Sequence, residues 1–175
     1  MSSTEALTTA SSLPAERFKA AMADLPAAVA IVTTTAADGA PRGATVSAVS
    51  SLSLDPPLLL VCLDQRSDTL AALTNDAAFL VHVAADGQQE HALRMASKGS
   101  AKFDDALWSS GLSAQPQLRG ATAVFDCRVA DLIPAGDHVI VIGAVRQLEH
   151  DPDRHPVIYH RRRLAPAPQT DHSNP

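Results

Sequence analysis

Short apolar runs separated by turn residues dominate the chain between residues 28 and 160. The runs are rich in β-branched and aliphatic side chains, and Gly, Pro, Asn or Asp bounds them, which is typical of β-strands. The pattern predicts strands over 28–35, 42–48, 58–63, 79–84, 121–132, 138–148 and 157–160.

Helical spacing is confined to short segments between these runs. The first segment lies between Pro14 and Pro26, where Phe18 and Met22 recur at helical spacing, so we expect a helix with one face packed down. Ser67 or Asp68 can cap a second helix through Leu73. Further helices are predicted over 88–96 and around 105–108.

Strands that do not alternate with long helices favour an antiparallel β-barrel over a doubly wound parallel sheet. We therefore expect a mainly β fold with short helices. Gly143 lies inside the strand run 138–148, which predicts a bulge, a barrel corner or a close backbone approach. One domain is predicted over 13–164, with disordered polar tails at 1–12 and 165–175.

Composition narrows the range of partners. The 175 residues are 46% hydrophobic and 19% charged, with a net charge of −5, which argues against nucleic acid or an anionic membrane as a partner. Cys62 and Cys127 stand in apolar runs without CxxC spacing, so buried thiols in a reducing compartment are expected. The N-terminal residues lack the features of a signal peptide, so we expect a cytoplasmic protein.

The stretch 43–63 is the densest source of hydroxyl groups in the sequence. It starts as a strand-like run, passes through a predicted loop and leaves as an apolar strand, and the hydroxyls are those of Thr45, Ser47, Ser50, Ser51 and Ser53. Small residues with hydroxyls and main-chain N–H groups suit close approach by a flat ligand that carries a phosphate. A serine-rich surface loop between two strands is an equally good interpretation of this stretch alone.

The common catalytic motifs are absent. The sequence has no GxGxxG, no GxxxxGK[ST], no HExxH and no GxSxG, so neither a metal site nor covalent catalysis is expected. Lys98 and Lys102 flank a glycine, either as a phosphate contact or as a solvated loop. Asp137 and His138 follow a turn, either as a strand cap or at the mouth of a ligand pocket. Hydride transfer between two stacked ligands needs no triad and no metal.

Five motifs in a fixed order resemble one known family. PAAVAIVTT, GATVSAVSSLSLDPPLLLVCL, KFDD, AGDHVIVIGAV and PVIYH, spread over residues 15 to 164, are similar to those of the flavin reductase family. These are small NAD(P)H:flavin oxidoreductases that supply reduced flavin to two-component monooxygenases. The resemblance implies an FMN-binding split barrel, a homodimer, FMN or FAD with NADH or NADPH, and a partner flavin-dependent monooxygenase.

The resemblance also implies roles for particular residues. One group would contact the flavin ring and ribityl chain, a second would approach its phosphate or ribityl end, and a third would close over it. An imidazole would face the nicotinamide, with a tyrosine nearby. In that order the residues are Thr45, Val46, Ser47, Ala48, Ser51 and Ser53, then Cys62, Leu63, Asp64, Ser67 and Thr69, then Lys102 and Phe103, and finally His138 with Tyr159.

Two other functions remain open from the sequence. A non-catalytic carrier or sensor on the same barrel would keep tightly bound flavin and show no turnover. A split-barrel oxidase of a small substrate would need a basic substrate pocket, for which the arginines at 161–163 are the only candidate.

Overall fold

The computed structural model describes residues 13–97, 101–103 and 106–168. Its helices are α1 (Ala15–Met22), α2 (Asp68–Ala72) and α3 (Gln89–Ala96), and single 3-10 turns lie at Ala101–Phe103 and Leu112–Ala114. The strands are β1 (Ala27–Ala28), β2 (Ala30–Thr35), β3 (Pro41–Val46), β4 (Val49–Leu54), β5 (Pro57–Asp64), β6 (Ala78–Val83), β7 (Trp108–Ser110), β8 (Pro116–Leu118), β9 (Ala123–Ala135), β10 (His138–His150), β11 (Val157–His160) and β12 (Arg163–Pro166).

Seven of these strands form one antiparallel sheet in the order β3-β2-β6-β9-β10-β5-β4. The two edge strands, β3 and β4, are joined only by Ser47 and Ala48, so the sheet must curl until its edges meet there. Cys62 N donates a hydrogen bond of 3.0 Å to Ala48 O at this junction. Helix α2 contacts β2, β3 and β5 and so bridges the two halves of the sheet. This architecture confirms the predicted antiparallel split barrel.

The inner face of the sheet holds an aliphatic core. Phe79 packs directly onto Gly143, where an added Cβ would lie 2.6 Å from the Phe79 ring carbon Cζ. The β9–β10 register shifts between Ile142 and Gly143, so the predicted bulge and close approach are confirmed. Buried residues of this inner core are Ala30, Val32, Val46, Leu59, Val61, Leu63, Leu73, Phe79, Val81, Cys127, Val129 and Val141.

The outer face of the sheet carries a second core. Because side chains alternate along a strand, Val29 and Ile31 point away from the inner core. They pack with residues of α3, β8 and β11, namely Ala92, Met95, Leu118 and Val157, together with Ala84. His82 is fully buried beside this cluster, and its edge faces the Trp108 ring at a centroid distance of 6.1 Å.

The expectation of a serine-rich loop between two strands is wrong. Residues 49–54 form strand β4, which pairs with β5 along its length apart from an irregularity between Ser51 and Ser53. Both faces of β4 are largely exposed, so its sequence needs no apolar alternation. Ladder pairing to β5 makes it a strand, and Leu54 remains 92% exposed.

The first helix forms as predicted, but its apolar face is not packed against the core. No residue of α1 is buried, and Phe18 is 56% exposed. The end of the helix is held instead by Arg161, whose N–H donates to Ala23 O at 2.8 Å and whose guanidinium meets Asp24 at 2.7 Å.

Several other expectations meet the structure only in part. Trp108 begins strand β7 rather than ending a helix, and the start of that predicted helix lies outside the described residues. Lys98 and the predicted tail 1–12 also lie outside them. Cys127 is fully buried, and burial raises the pKa of its thiol to about 12, whereas Cys62 is only partly buried. No helix in the described part of the chain has the length and apolar character needed to cross a membrane.

Candidate functional site

A cleft of about 1470 Å³ follows α2 and β3 and continues around the β2–β3 hairpin onto the outer face of the sheet. Its walls come from β2, β3, α2, the end of α3 and the turn at Ala101–Phe103. Six of the residues predicted from the sequence line this cleft, namely Thr45, Asp64, Ser67, Thr69, Lys102 and Phe103.

Ser67 begins the wall formed by α2. Its backbone is extended and its hydroxyl accepts a hydrogen bond from Leu70 N at 3.5 Å, so it is the N-cap that the sequence predicted. Thr69 follows in the first turn and is buried, with only 2% of its surface exposed. The first turn of α2 therefore lines the cleft, with the partly exposed Ser67 hydroxyl at its start and the Thr69 side chain packed beneath it.

Asp64 and Arg66 form the neighbouring wall at the end of β5. The Asp64 carboxylate accepts hydrogen bonds from Arg66 N at 2.8 Å, Nε at 3.1 Å and Nη2 at 2.9 Å. These hydrogen bonds and the guanidinium charge hold the pKa of Asp64 well below its usual range. The carboxylate therefore stays ionised and fixes an exposed arginine at the cleft.

Lys102 joins three chain segments on the opposite wall. Its Nζ donates hydrogen bonds to Gly43 O at 3.1 Å and to Met95 O at 3.0 Å. Partial burial lowers the pKa of Lys102, and the nearby Asp68 charge acts in the opposite direction. Lys102, predicted either as a phosphate contact or as part of a solvated loop, is a structural contact between β3, the end of α3 and the turn that carries Phe103.

Gly43 allows this wall to pack tightly. A Cβ at this position would overlap the Met95 methyl and lie 3.1 Å from Phe103 Cζ. The Phe103 ring packs against Trp108 in turn, at a centroid distance of 4.8 Å and an interplanar angle of 65°. Thr45, two residues along β3, donates its hydroxyl to Ala92 O at 2.6 Å. Phe103 therefore provides a supported apolar surface beside the hydroxyls.

His138 stands next to the cleft but is not part of its lining. It pairs with Asp64 across the β10–β5 ladder, so it shares the end of the sheet with the Asp64–Arg66 pair. Its Nδ1 lies 2.8 Å from Asp137 Oδ1, and this bond and the imidazole charge lower the pKa of Asp137. The turn is tied to β5 because Gln65 N donates to Asp137 O at 3.0 Å.

The other predicted residues do not line the cleft. Val46 and Leu63 are buried in the inner core, while Ser47 and Ala48 are exposed at the β3–β4 junction. Tyr159 packs against the outer core, in a different sheet from His138. The remaining three, Ser51, Ser53 and Cys62, lie on the β4–β5 pair.

The cleft also contains residues that the sequence analysis did not identify. Arg66 follows the end of a strand, which is a local signal that could have found it. Arg42 lies on β3 together with Thr45. The others come from distant segments and carry no motif, so only the tertiary structure brings them to the cleft, among them Met95, Ser113, Gln115 and Arg128.

The side chains around the cleft suit a flat ligand with an anionic tail. Threonine and serine hydroxyls donate or accept hydrogen bonds, and Phe103 supplies apolar surface. Lys102 and Arg66, the latter in an ion pair with Asp64, bring positively charged groups to the cleft. A small-molecule site usually occupies about 300–1,000 Å³, so the cleft is large enough for a flavin and part of a second ligand. The donor set therefore fits a flavin. Among the described residues there is no group of three or more His, Cys, Asp or Glu that could hold a metal ion.

Comparisons with known proteins agree with this chemistry. The model of the flavin reductase like domain matches residues 22–168. The chain is 39% identical to the flavin reductase (NADH) of Kitasatospora aureofaciens, over 86% of this chain and 80% of that protein.

Two solved structures have the same fold. One is the NADH:FAD oxidoreductase SgcE6 of Streptomyces globisporus in complex with NAD and FAD fragments, with a TM-score of 0.82 and 27% identity over 94% of this chain and 100% of that chain. The other is BorF, the flavin reductase component of a bacterial two-component tryptophan halogenase, with a TM-score of 0.81 and 29% identity over 90% and 100%. The chain therefore belongs to the flavin reductase-like domain family, as its motifs predicted.

Proposed function

We propose that this protein is an NADH-dependent flavin reductase that reduces FMN or FAD. The single observation that carries the proposal is the cleft, where six residues predicted to contact flavin converge from three separate chain segments. The names of its relatives support NADH as the reductant and a flavin as the acceptor, since one is a flavin reductase (NADH) and another a NADH:FAD oxidoreductase.

The residues of the cleft bind and orient the flavin. We infer that Ser67, Thr69 and Arg66 hold its phosphate, because these groups combine hydroxyl donors with a fixed guanidinium. Thr45 on β3 would hold the ribityl chain, and Phe103 would supply an apolar surface for the ring. Lys102 keeps Phe103 in position through its bonds to Gly43 and Met95.

When both ligands are bound, the reduced nicotinamide supplies a hydride and the oxidised flavin ring accepts it. The chain contributes alignment and exclusion of water rather than a nucleophile. His138 is the proposed group at the nicotinamide side. Because Asp137 accepts the hydrogen bond of Nδ1–H, the imidazole can present Nε2 to a ligand as a proton acceptor.

Steady-state oxidation of NADH and NADPH with FMN, FAD and riboflavin tests the proposal. We expect NADH oxidation well above that of flavin mixed with NADH alone, and a lower rate with NADPH. Oxidation no faster than this enzyme-free control would contradict the proposed activity. Replacing His138 with Ala is expected to lower turnover while flavin binding persists, and equal turnover would remove His138 from the site.

We infer that the functional unit is a homodimer. Ser47 and Ala48 are exposed at the β3–β4 junction although the family resemblance assigns them to flavin. Next to them lies β4, an edge strand that a second copy can cover, and it exposes Leu52 and Leu54. Light scattering coupled to gel filtration should give twice the chain mass of 18.3 kDa, and a monomer at working concentration would contradict the inference.

We also propose that the reduced flavin is delivered in the cytoplasm to a partner flavin-dependent monooxygenase. BorF supports this proposal, because it is the reductase component of a two-component system. The test is substrate oxygenation by a purified flavin-dependent monooxygenase of a two-component system when only NADH, flavin and this reductase are added. Product formation without the reductase at the same rate would contradict the proposed supply.

A further inference from the structure

The cleft does not end at the flavin residues but continues onto the outer face of the sheet. Thr35 pairs with Pro41 across β2 and β3, and Ala78 pairs with Arg128 across β6 and β9. All four line the cleft, and directly paired residues in an antiparallel sheet point to the same face. They form a floor, which we call the outer subsite, with a guanidinium at one end.

The wall of the outer subsite is the turn between β7 and β8. Ser113 and Ala114 both have positive φ, 49° and 57°, which turns the chain sharply here. Gln115 follows, and its Nε2 donates to Ser113 O at 3.1 Å. Its Oε1 is buried and has no hydrogen-bond partner in the described part of the chain, and an unpaired buried acceptor is costly. A ligand that donates a hydrogen bond to this amide would remove that cost, after a rotation of the amide toward the cleft.

The charges at the outer subsite favour an anion. Arg128 uses Nη1 to donate to Asp76 O at 3.0 Å, which fixes the guanidinium without neutralising it. The carboxylate behind the wall, Asp126, is 1% exposed and its Oδ2 accepts a hydrogen bond of 2.7 Å from the Ser113 hydroxyl. Asp38 on the neighbouring hairpin is paired with Arg42 at 3.2 Å. The cation on the floor is therefore Arg128.

We propose that the outer subsite binds the adenosine monophosphate half of a dinucleotide. This inference rests on the proposed function, because that function supplies two ligands with such a half, FAD and NADH. Arg128 would contact a phosphate, and the Gln115 amide would pair with an amino or hydroxyl group of the adenosine. The cleft volume of about 1470 Å³ supports the proposal, since it exceeds the roughly 300–1,000 Å³ of a site for one ligand.

The test compares ligands that have this half with ligands that lack it. Dissociation constants of FMN, FAD, NADH and adenosine monophosphate are measured by calorimetry or fluorescence for the wild type, Arg128→Ala, Arg128→Lys and Gln115→Ala. Arg146→Ala is the matched control, because it removes the same charge from an exposed position on the neighbouring strand β10 outside the cleft. Thermal unfolding of each variant verifies that it is folded.

We expect Arg128→Ala to weaken the binding of adenosine monophosphate, and of either FAD or NADH, roughly tenfold. The dissociation constant of FMN should change less than about twofold. Whichever dinucleotide loses affinity is the one whose adenosine half occupies the subsite, and Arg128→Lys should restore part of the loss. The proposal is overturned if the affinity for FMN falls as much as that for FAD, or if the affinity for neither dinucleotide changes. In both of those cases NADH oxidation by the wild type with FMN still tests the proposed function separately.

Discussion

The ammonium group of Lys102 donates hydrogen bonds to the main-chain oxygens of Gly43, at 3.1 Å, and Met95, at 3.0 Å. These bonds hold the turn that carries Phe103 against β3. Lys102→Met keeps the apolar length of the side chain but leaves both oxygens without this donor. We expect a loss of about 1–3 kcal/mol in the free energy of unfolding and weaker flavin binding.

Urea unfolding and a fluorescence titration with FMN measure the two effects of Lys102→Met. Lys19→Met is the matched control, because Lys19 and its ion-pair partner Glu16 are both exposed and such pairs contribute little. If Lys102→Met were as stable as Lys19→Met, the bonds to β3 and α3 would have no structural role.

Ser67 should discriminate between flavins with and without a phosphate. Ser67→Asp retains a good N-cap for α2, so stability should change little. Its carboxylate would repel the phosphate that we propose lies there, so FMN should bind roughly tenfold more weakly. Riboflavin has no phosphate and should be nearly unaffected. Equal losses for FMN and riboflavin in a calorimetric titration would show that the phosphate lies elsewhere, and the neutral cap Ser67→Asn provides the comparison.

His82 should make the protein sensitive to acid. Its Nδ1 lies 2.9 Å from Ile31 O and must donate, and its Nε2 accepts from Leu118 N at 3.2 Å, so both bonds require the neutral ring. Full burial lowers the pKa of His82 to about 4 from 6.5, so the unfolded chain binds a proton more readily than the folded one. Stability is then complete above about pH 6.5 and falls as the pH drops toward 4.

The expected loss from His82 between pH 7 and pH 5 is about 2 kcal/mol, from the difference between the two pKa values. Urea unfolding at both pH values measures it. His82→Gln should have a smaller pH dependence than the wild type, whereas His150→Gln, at an exposed position, should keep it. A wild-type protein whose stability is flat over this range would contradict the assigned hydrogen bonds.

Gly143 should tolerate no side chain while Phe79 is present. A Cβ at Gly143 would lie 2.6 Å from Phe79 Cζ and 3.2 Å from Cys127 Cβ, so Gly143→Ala should cost about 1–3 kcal/mol. Phe79→Leu removes the nearest ring atom and should recover part of that cost in the double variant. Additive losses in a double-mutant cycle of urea unfolding would show that the two positions do not interact.

Local sequence patterns were enough to predict most of the strands, one helix cap and one site of close packing. The N-cap Ser67 and the bulge at Gly143 follow from the properties of single residues, a hydroxyl that accepts a main-chain bond and a missing Cβ. Strand β4 was predicted as a loop because an edge strand exposed on both faces has no alternation to detect. Its pairing with β5 is a tertiary fact.

Patterns also predict which face of a helix is apolar but not what lies against it. Phe18 and Met22 have apolar spacing in the structure, yet no residue of α1 is buried, and the segment after the helix is attached through Asp24 to Arg161 at the turn between β11 and β12. Helix α3 has the same kind of spacing, and the outer core buries Ala92 and Met95. The difference depends on where each helix is attached to the barrel.

The sequence by itself determined the family and the hydroxyl-rich half of the cleft, because motifs and caps are encoded in neighbouring residues. Only the tertiary structure decided that Lys102 bonds to Gly43 and Met95, and that Arg128 and Gln115 extend the cleft. These residues lie far apart in the chain and meet only through sheet register and barrel curvature. A register is set by the pairing of whole strands, so no single segment contains the information that places them together.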